Sequence, residues 1–168
     1  MRYFLIFSLL FAFHSLTAQD MTLKRMNKIF KAEVEEMERE DGIWTMSYGD
    51  LPVMVVSDER ANRMRIFTPI TTQASLDDDD LEIMLVANFH SALDAKYALY
   101  EGFVVSLFTH PLRELQEEQL IDALRQVVVL AKTFGTTYSS TEMIFGGDTE
   151  EEKEPKINTS PLQPTKRS

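Results

Sequence analysis

The sequence of 168 residues is 44% apolar, which is enough to fill the core of one domain of ordinary size. Its net charge of −10 disfavours nucleic acid and anionic lipid as partners, because an acidic surface repels phosphate groups. The sequence contains no cysteine, so the domain must be stable without disulfides.

The first residues have the layout of a secretory signal peptide. Arg2 precedes an apolar run at residues 3–13, and a short polar stretch ends at Ala18. We therefore predict cleavage after Ala18 and a mature protein that is periplasmic or secreted. The apolar run is about half the length that a membrane span needs, so no stable membrane insertion is expected after cleavage.

Residues 22–39 are predicted to form an amphipathic helix. Apolar residues recur there at steps of three and four, while lysines and glutamates occupy the other face. The pair Asp41 and Gly42 is expected to end this helix. The apolar positions of the stripe are Leu23, Met26, Phe30, Val34 and Met37.

The apolar pattern then changes to alternation, which predicts strands. Residues 44–48 and 51–56 flank the turn formers Gly49 and Asp50, so they are expected to form a hairpin. A third strand is predicted over residues 63–70. On that strand, Met64, Ile66 and Thr68 share one face, and Arg63, Arg65 and Phe67 share the other.

A second helix and a second hairpin are predicted next. Ser75 begins a capping pattern, and four aspartates at residues 77–80 place negative charge at the start of a helix that runs to about Ala95. Strands follow at residues 97–100 and 103–108. The helix stripe expected to pack on the sheet is Leu81, Met84, Leu85, Asn88, Ala92 and Ala95.

The last predicted element is a long helix from about Leu115 to Phe134, with Gly135 as its C-terminal cap. Residues 147–168 contain an acidic run and three prolines but almost no large apolar side chain, which predicts a disordered tail. The element order is therefore α-βββ-α-ββ-α. It predicts an α+β domain over residues 20–146.

The sequence offers no recognisable catalytic or metal-binding motif. His90 and His110 are interpreted as structural or surface histidines. The aspartates at residues 77–80 lack the glycine and the ligand spacing of a calcium loop, so they are interpreted as helix capping. We expect no cofactor and no metal. One hypothesis is nevertheless an enzyme, with a site assembled from scattered residues such as Asp80, Asn88 and His90.

Four side chains of the first hairpin are the candidate contacts for a protein or peptide partner. Trp44 and Tyr48 are large aromatic residues on one face of a strand that is a candidate edge strand, and Met46 and Met54 are flexible apolar residues suited to varied ligands. The alternative is that these residues fill the core and cover the first helix.

Three short segments, together with the element order, resemble the YbjN family. They are residues 63–70 (RMRIFTPI), residues 85–89 (LVANF) and residues 107–112 (LFTHPL). That family is similar in fold to type III secretion chaperones of the Tir-chaperone kind, and the resemblance covers about residues 22–135. It implies a five-stranded antiparallel sheet packed with helices, a possible homodimer, and binding of client segments in extended form without enzyme activity.

These observations predict an exported, non-enzymatic protein- or peptide-binding domain that is chaperone-like or regulatory. Strand addition would supply backbone hydrogen bonds to the guest, and apolar pockets would add selectivity. The alternative is a structural or assembly subunit of a cell-envelope complex that acts through homodimerisation. The sequence does not identify the partner.

Overall fold

The chain forms an antiparallel sheet of six strands with helices packed on one of its faces. This computed structural model describes residues 20–141; the predicted signal peptide and the predicted tail lie outside the described residues. The α+β class predicted from the sequence is confirmed. The helices are α1 (Leu23–Glu33), α2 (Asp80–His90) and α3 (Glu117–Lys132), and the strands are β1 (Met37–Glu40), β2 (Ile43–Tyr48), β3 (Leu51–Asp58), β4 (Arg63–Thr72), β5 (Lys96–Tyr100) and β6 (Phe103–His110).

The segment predicted as the end of the first helix is instead an edge strand, so the sheet has six strands and not five. α1 ends at Glu33, because Val34 adopts extended backbone while its N–H still donates to the carbonyl of Phe30 (3.0 Å). Asp41 and Gly42 both have positive φ, 42° and 82°, as a two-residue turn between strands β1 and β2 requires. The element order is therefore corrected to α-ββββ-α-ββ-α.

The strand order across the sheet is β1-β2-β3-β4-β6-β5, with every neighbouring pair antiparallel. Both hairpins predicted from the sequence are present. The register aligns Trp44, Val55, Ile66 and Phe108 in one row across four strands, and all four side chains are buried beneath the helices. Because side chains alternate along a strand, the adjacent row points to the opposite face. That row contains Thr45, Met54, Phe67 and Leu107.

α3 lies across β4 and β6 and closes the core with a stripe of buried leucines and valines. Its buried Gln126 also holds the link between α2 and β5. The Gln126 Oε1 atom accepts hydrogen bonds from the backbone N–H groups of Asp94 (2.9 Å) and Ala95 (3.2 Å), and Nε2 donates to Asp122 (2.7 Å). A polar side chain inside the core thus has partners for both ends of its amide.

α2 is shorter than the predicted helix. A 3₁₀ turn at Gln73–Ser75 precedes it, and the Asp80 carboxylate accepts a hydrogen bond from the backbone N–H of Asp77 (2.8 Å) at its start. At its end, Lys96 Nζ donates to three backbone carbonyls, which places a cation at the negative end of the helix dipole. These carbonyls belong to Asn88, Ala92 and Leu93. No helix in the described part is long and apolar enough to cross a membrane.

Candidate functional site

Between residues 20 and 141 nothing covers the face of the sheet opposite the helices, yet much of this face is apolar. Antiparallel sheets with one solvated face usually present polar side chains there. Here Val56, Tyr100 and Phe103 are exposed to solvent. We call this surface the open face; its side chains are Met54, Val56, Arg65, Phe67, Ala98, Tyr100, Phe103, Val105, Leu107 and Thr109.

Two aromatic rings meet on the open face. Phe67 of β4 and Tyr100 of β5 contact edge to face, with centroids 5.7 Å apart, across the intervening strand β6. Val105 of β6 lies between them in the register and is only 3% exposed, although none of the three described helices covers it. A hydrogen bond with Glu101 raises the pKa of the Tyr100 hydroxyl, and the charge of Arg65 acts in the opposite direction. The two rings and Val105 together form an apolar wall on the open face.

A shallow groove runs beside this ring pair. Its first part has a volume of about 430 Å³, and its second part, of about 370 Å³, continues towards the loop at residues 59–62. Val56, Arg65 and Thr109 line both parts, so the two are continuous. We call them together the sheet groove. It has the width of several strands and an apolar floor, which suits the side chains of an extended chain.

A second exposed apolar surface is formed by the side chains of α2. Five large side chains of this short helix face solvent, and Phe89 (84% exposed) and Leu85 (70% exposed) are the most accessible. The prediction that Leu81 and Leu85 pack on the sheet is wrong, because Met84 and Ala87 occupy that position. Residues 83–87 are all apolar, so periodicity could not select the buried face. We call Leu81, Ile83, Leu85, Val86 and Phe89 the α2 surface.

Both edges of the sheet are protected against an added strand. On β5, the Asn88 side chain accepts a hydrogen bond from the backbone N–H of Tyr97 (2.7 Å) and donates one to its carbonyl (3.2 Å). The groups that an incoming strand would use at Tyr97 are thus already paired. β1 has only four residues, three of them charged, which also discourages pairing. The geometry favours docking of side chains on the open face over strand addition.

The structure separates the four candidate contacts predicted from the sequence. Trp44 is fully buried and Met46 nearly so, both on the helix side of the sheet. Tyr48 is half-buried beside the same core, and Met54 is half-buried on the open face. Binding by these four residues stays a prediction, and it would require displacement of α1 to expose Trp44. The aromatic residue of the open face that the sequence interpretation did not select as a candidate contact is Phe67, although strand alternation had placed it opposite the core.

The residues of the enzyme hypothesis do not converge. Asp80 lies in the first turn of α2, whereas Asn88 and His90 lie in the last, about 12 Å and about 15 Å from it along the axis by helix geometry. The Asp80 carboxylate also accepts a hydrogen bond from the Tyr138 hydroxyl (3.3 Å). Burial, followed by the Asp80 charge, raises the pKa of Tyr138. Asp80 therefore ties the start of α2 to the segment after α3.

The other titratable candidates are also engaged locally. His110 stacks parallel to Phe108, and its Nδ1 atom lies 2.7 Å from the carbonyl of Pro111. His90 packs edge-on against Phe89. Between residues 20 and 141, no cluster of three or more acidic or histidine side chains is arranged to hold a metal ion.

Comparison with known proteins shows a fold without a close relative in sequence. No family model and no curated protein matches the chain. Solved structures do match. One is the Yersinia pestis type III secretion chaperone SycH in complex with a stable fragment of YscM2, with a TM-score of 0.53 and 17% identity, over 67% of this chain and 99% of that chain.

A second match is the ExsC–ExsE complex, with a TM-score of 0.52 and 11% identity, over 67% of this chain and 92% of the matched chain. Identities this low show the fold and nothing further about activity. The chaperone-like fold predicted from the sequence is confirmed.

Proposed function

We propose that this protein is an exported, non-enzymatic, chaperone-like domain of the YbjN type that holds an extended segment of a partner protein on its open face. The observation that carries the proposal is the sheet groove, a continuous depression on the open face with apolar side chains such as Phe67 and Leu107 along its first part. Two further features support it. The fold is shared with SycH and ExsC, which were solved in complexes with YscM2 and ExsE, and residues 1–18 have the pattern of an export signal.

The physical basis of binding is burial of apolar side chains of the guest. One Leu- or Phe-sized side chain that leaves water for the groove contributes about 2 kcal/mol. The rigid pair of Phe67 and Tyr100 supplies contact area with little loss of side-chain entropy. Because ordering an extended guest opposes these gains, we expect micromolar affinity for short peptides.

The test compares two phenylalanines on different surfaces. Fluorescein-labelled extended peptides with alternating leucines are titrated with the full chain, and binding is followed by anisotropy. Phe67→Ala, on the open face, should weaken binding about tenfold, while Phe89→Ala, on the α2 surface, should leave it unchanged. Equal binding by both variants, or no binding by the wild type, would contradict the proposal.

A second candidate function is assembly through a homodimer, and the α2 surface favours it. Five solvent-exposed apolar side chains on one 11-residue helix form the kind of patch that protein interfaces cover. In an antiparallel pair of α2 helices around a two-fold axis, the acidic first turn, with Asp80 and Glu82, would face the end of the partner helix that carries His90. The apolar patch is therefore self-complementary.

The same two variants distinguish the two candidate functions, because a dimer predicts the opposite pattern of effects. Analytical ultracentrifugation of the full chain should show a dimer that Phe89→Ala weakens and Phe67→Ala does not. Leu85→Glu should abolish the dimer, because it places a charge in the centre of the patch. A monomeric wild type at concentrations of about 100 μM would exclude a stable dimer of this kind.

A further inference from the structure

Arg65 is a charged side chain on the open face that has no partner in the described chain. It is the third residue of β4, opposite Val56 on one side and Thr109 on the other. Between residues 20 and 141 its guanidinium forms no hydrogen bond and no ion pair; its one recorded interaction is electrostatic, with Tyr100. A cation beside an apolar groove is thus left with its hydrogen-bonding donors unused.

The neighbouring charged groups on this side of the sheet are already engaged. Arg63 Nη1 donates to the carbonyl of Asn62 (3.0 Å), and Lys96 Nζ donates to the carbonyls at the end of α2. The Asp58 carboxylate accepts hydrogen bonds from two backbone N–H groups of the adjoining loop. Glu101 hydrogen-bonds with Tyr100 at the far end of the groove. Arg65 is therefore the group available to a guest.

The spacing of Arg65 relative to the apolar wall is set by the strand. Arg65 and Phe67 are two residues apart, so their side chains share a face about 6.7 Å apart. On β6, Thr109 and Leu107 repeat the same spacing, because they pair with Arg65 and Phe67 in the register. The groove thus has a polar row next to an apolar row. An extended guest lying along these strands presents alternate side chains with the same period.

We propose that the sheet groove selects an extended polypeptide segment in which a carboxylate side chain and a large apolar side chain are separated by one residue. Arg65 holds the carboxylate, and Phe67 with Leu107 holds the apolar side chain. This inference rests on the proposed function and names the class of guest. Charge complementarity favours this occupant. A guest of purely apolar residues would remove water from the Arg65 guanidinium without supplying a negatively charged partner.

The size of the effect follows from the exposure of Arg65. An exposed ion pair contributes at most about 1 kcal/mol, which corresponds to about fivefold in affinity. The net charge of −10 repels acidic peptides in general. Peptides must therefore be compared at equal net charge, and at physiological salt, where the Debye length of about 8 Å leaves mainly local contacts.

The experiment uses three labelled nine-residue peptides and the full chain. The first peptide contains Glu-Ser-Leu-Ser-Leu, the second contains Ser-Glu-Leu-Ser-Leu, and the third replaces that Glu by Gln and carries a Glu at its last position instead, so that all three have the same net charge. The first should bind about fivefold more tightly than the other two. Arg65→Gln should make all three equal. Arg113→Gln, which removes the same charge from outside the groove, should preserve the preference.

The outcomes distinguish this inference from the proposed function. Equal binding of the three peptides to the wild type, with Phe67→Ala still weakening all of them, overturns the inference and leaves the proposed function intact. A preference that survives Arg65→Gln also overturns it, because the carboxylate is then held elsewhere. Absence of peptide binding overturns both. If sodium oleate binds more tightly than any peptide, and binds only when Arg65 is present, the guest is a fatty-acid carboxylate. That result overturns the inference of a polypeptide guest.

Discussion

Replacing Trp44 with alanine tests whether this side chain is a core residue or a contact for a guest. The ring is fully buried, packs edge to face on Phe30 with centroids 5.5 Å apart, and its Nε1 donates to Asn27 Oδ1 (3.1 Å). A buried tryptophan covers roughly 200 Å², which at about 25 cal/mol per Å² corresponds to about 5 kcal/mol. Substitutions of this kind usually cost about 3–5 kcal/mol. We expect about 4 kcal/mol, a large part of the stability of a small domain.

Urea unfolding of the two proteins, followed by far-ultraviolet circular dichroism, measures this loss. Met54→Ala is the matched control, because Met54 is half-buried on the open face and its truncation should cost less than about 1 kcal/mol. Trp44 is the one tryptophan in the sequence, so its fluorescence also reports directly on burial. A loss below about 1 kcal/mol in Trp44→Ala, or indole emission as quenchable by acrylamide as that of free tryptophan, would refute the core assignment. A folded Trp44→Ala protein that no longer binds peptides would restore Trp44 as a contact.

Three further predictions concern the stability of the fold. Gln126→Leu should cost about 1–3 kcal/mol in urea unfolding, because the buried N–H of Ala95 and the part-buried N–H of Asp94 lose their acceptor. Gly49→Ala should lower the melting temperature more than Gly102→Ala: both glycines have positive φ, but only at Gly49 would a Cβ meet a neighbour, Val128 Cγ1 at 2.8 Å. Burial raises the pKa of Tyr97, so above pH 10 the unfolded state loses the phenolic proton first and stability should fall by up to about 1.4 kcal/mol per pH unit. Tyr97→Phe should reduce that slope in urea titrations at pH 9–11, while Tyr138 and Tyr100, whose pKa values are also raised, still contribute to it. An unchanged slope would contradict the assignment.

The sequence predicted most of the sheet because alternation and turn residues agree there. Gly49 with Asp50 and Glu101 with Gly102 lie between alternating runs, and all four residues have the positive φ of two-residue hairpin turns. The same signal was present at Asp41 and Gly42 but was interpreted as a helix end. Met37–Glu40 contains mainly good helix formers, and Met37 continues the spacing of α1, so local propensity opposed the strand. This segment is nevertheless a strand, because it pairs with β2.

The candidate surfaces were harder to predict, for a reason that is general to sheets. Alternation sorts the side chains of β4 into two rows, but it does not say which row the helices cover. Arg65 and Phe67 were assigned to the row opposite Ile66, yet that row became a candidate site only when the register placed Phe67 beside Leu107 and across from Tyr100. That arrangement depends on β6 inserting between β4 and β5, a long-range pairing that no local pattern encodes. A candidate binding surface built from three strands is therefore a property of the topology, whereas its individual apolar residues are visible in the sequence.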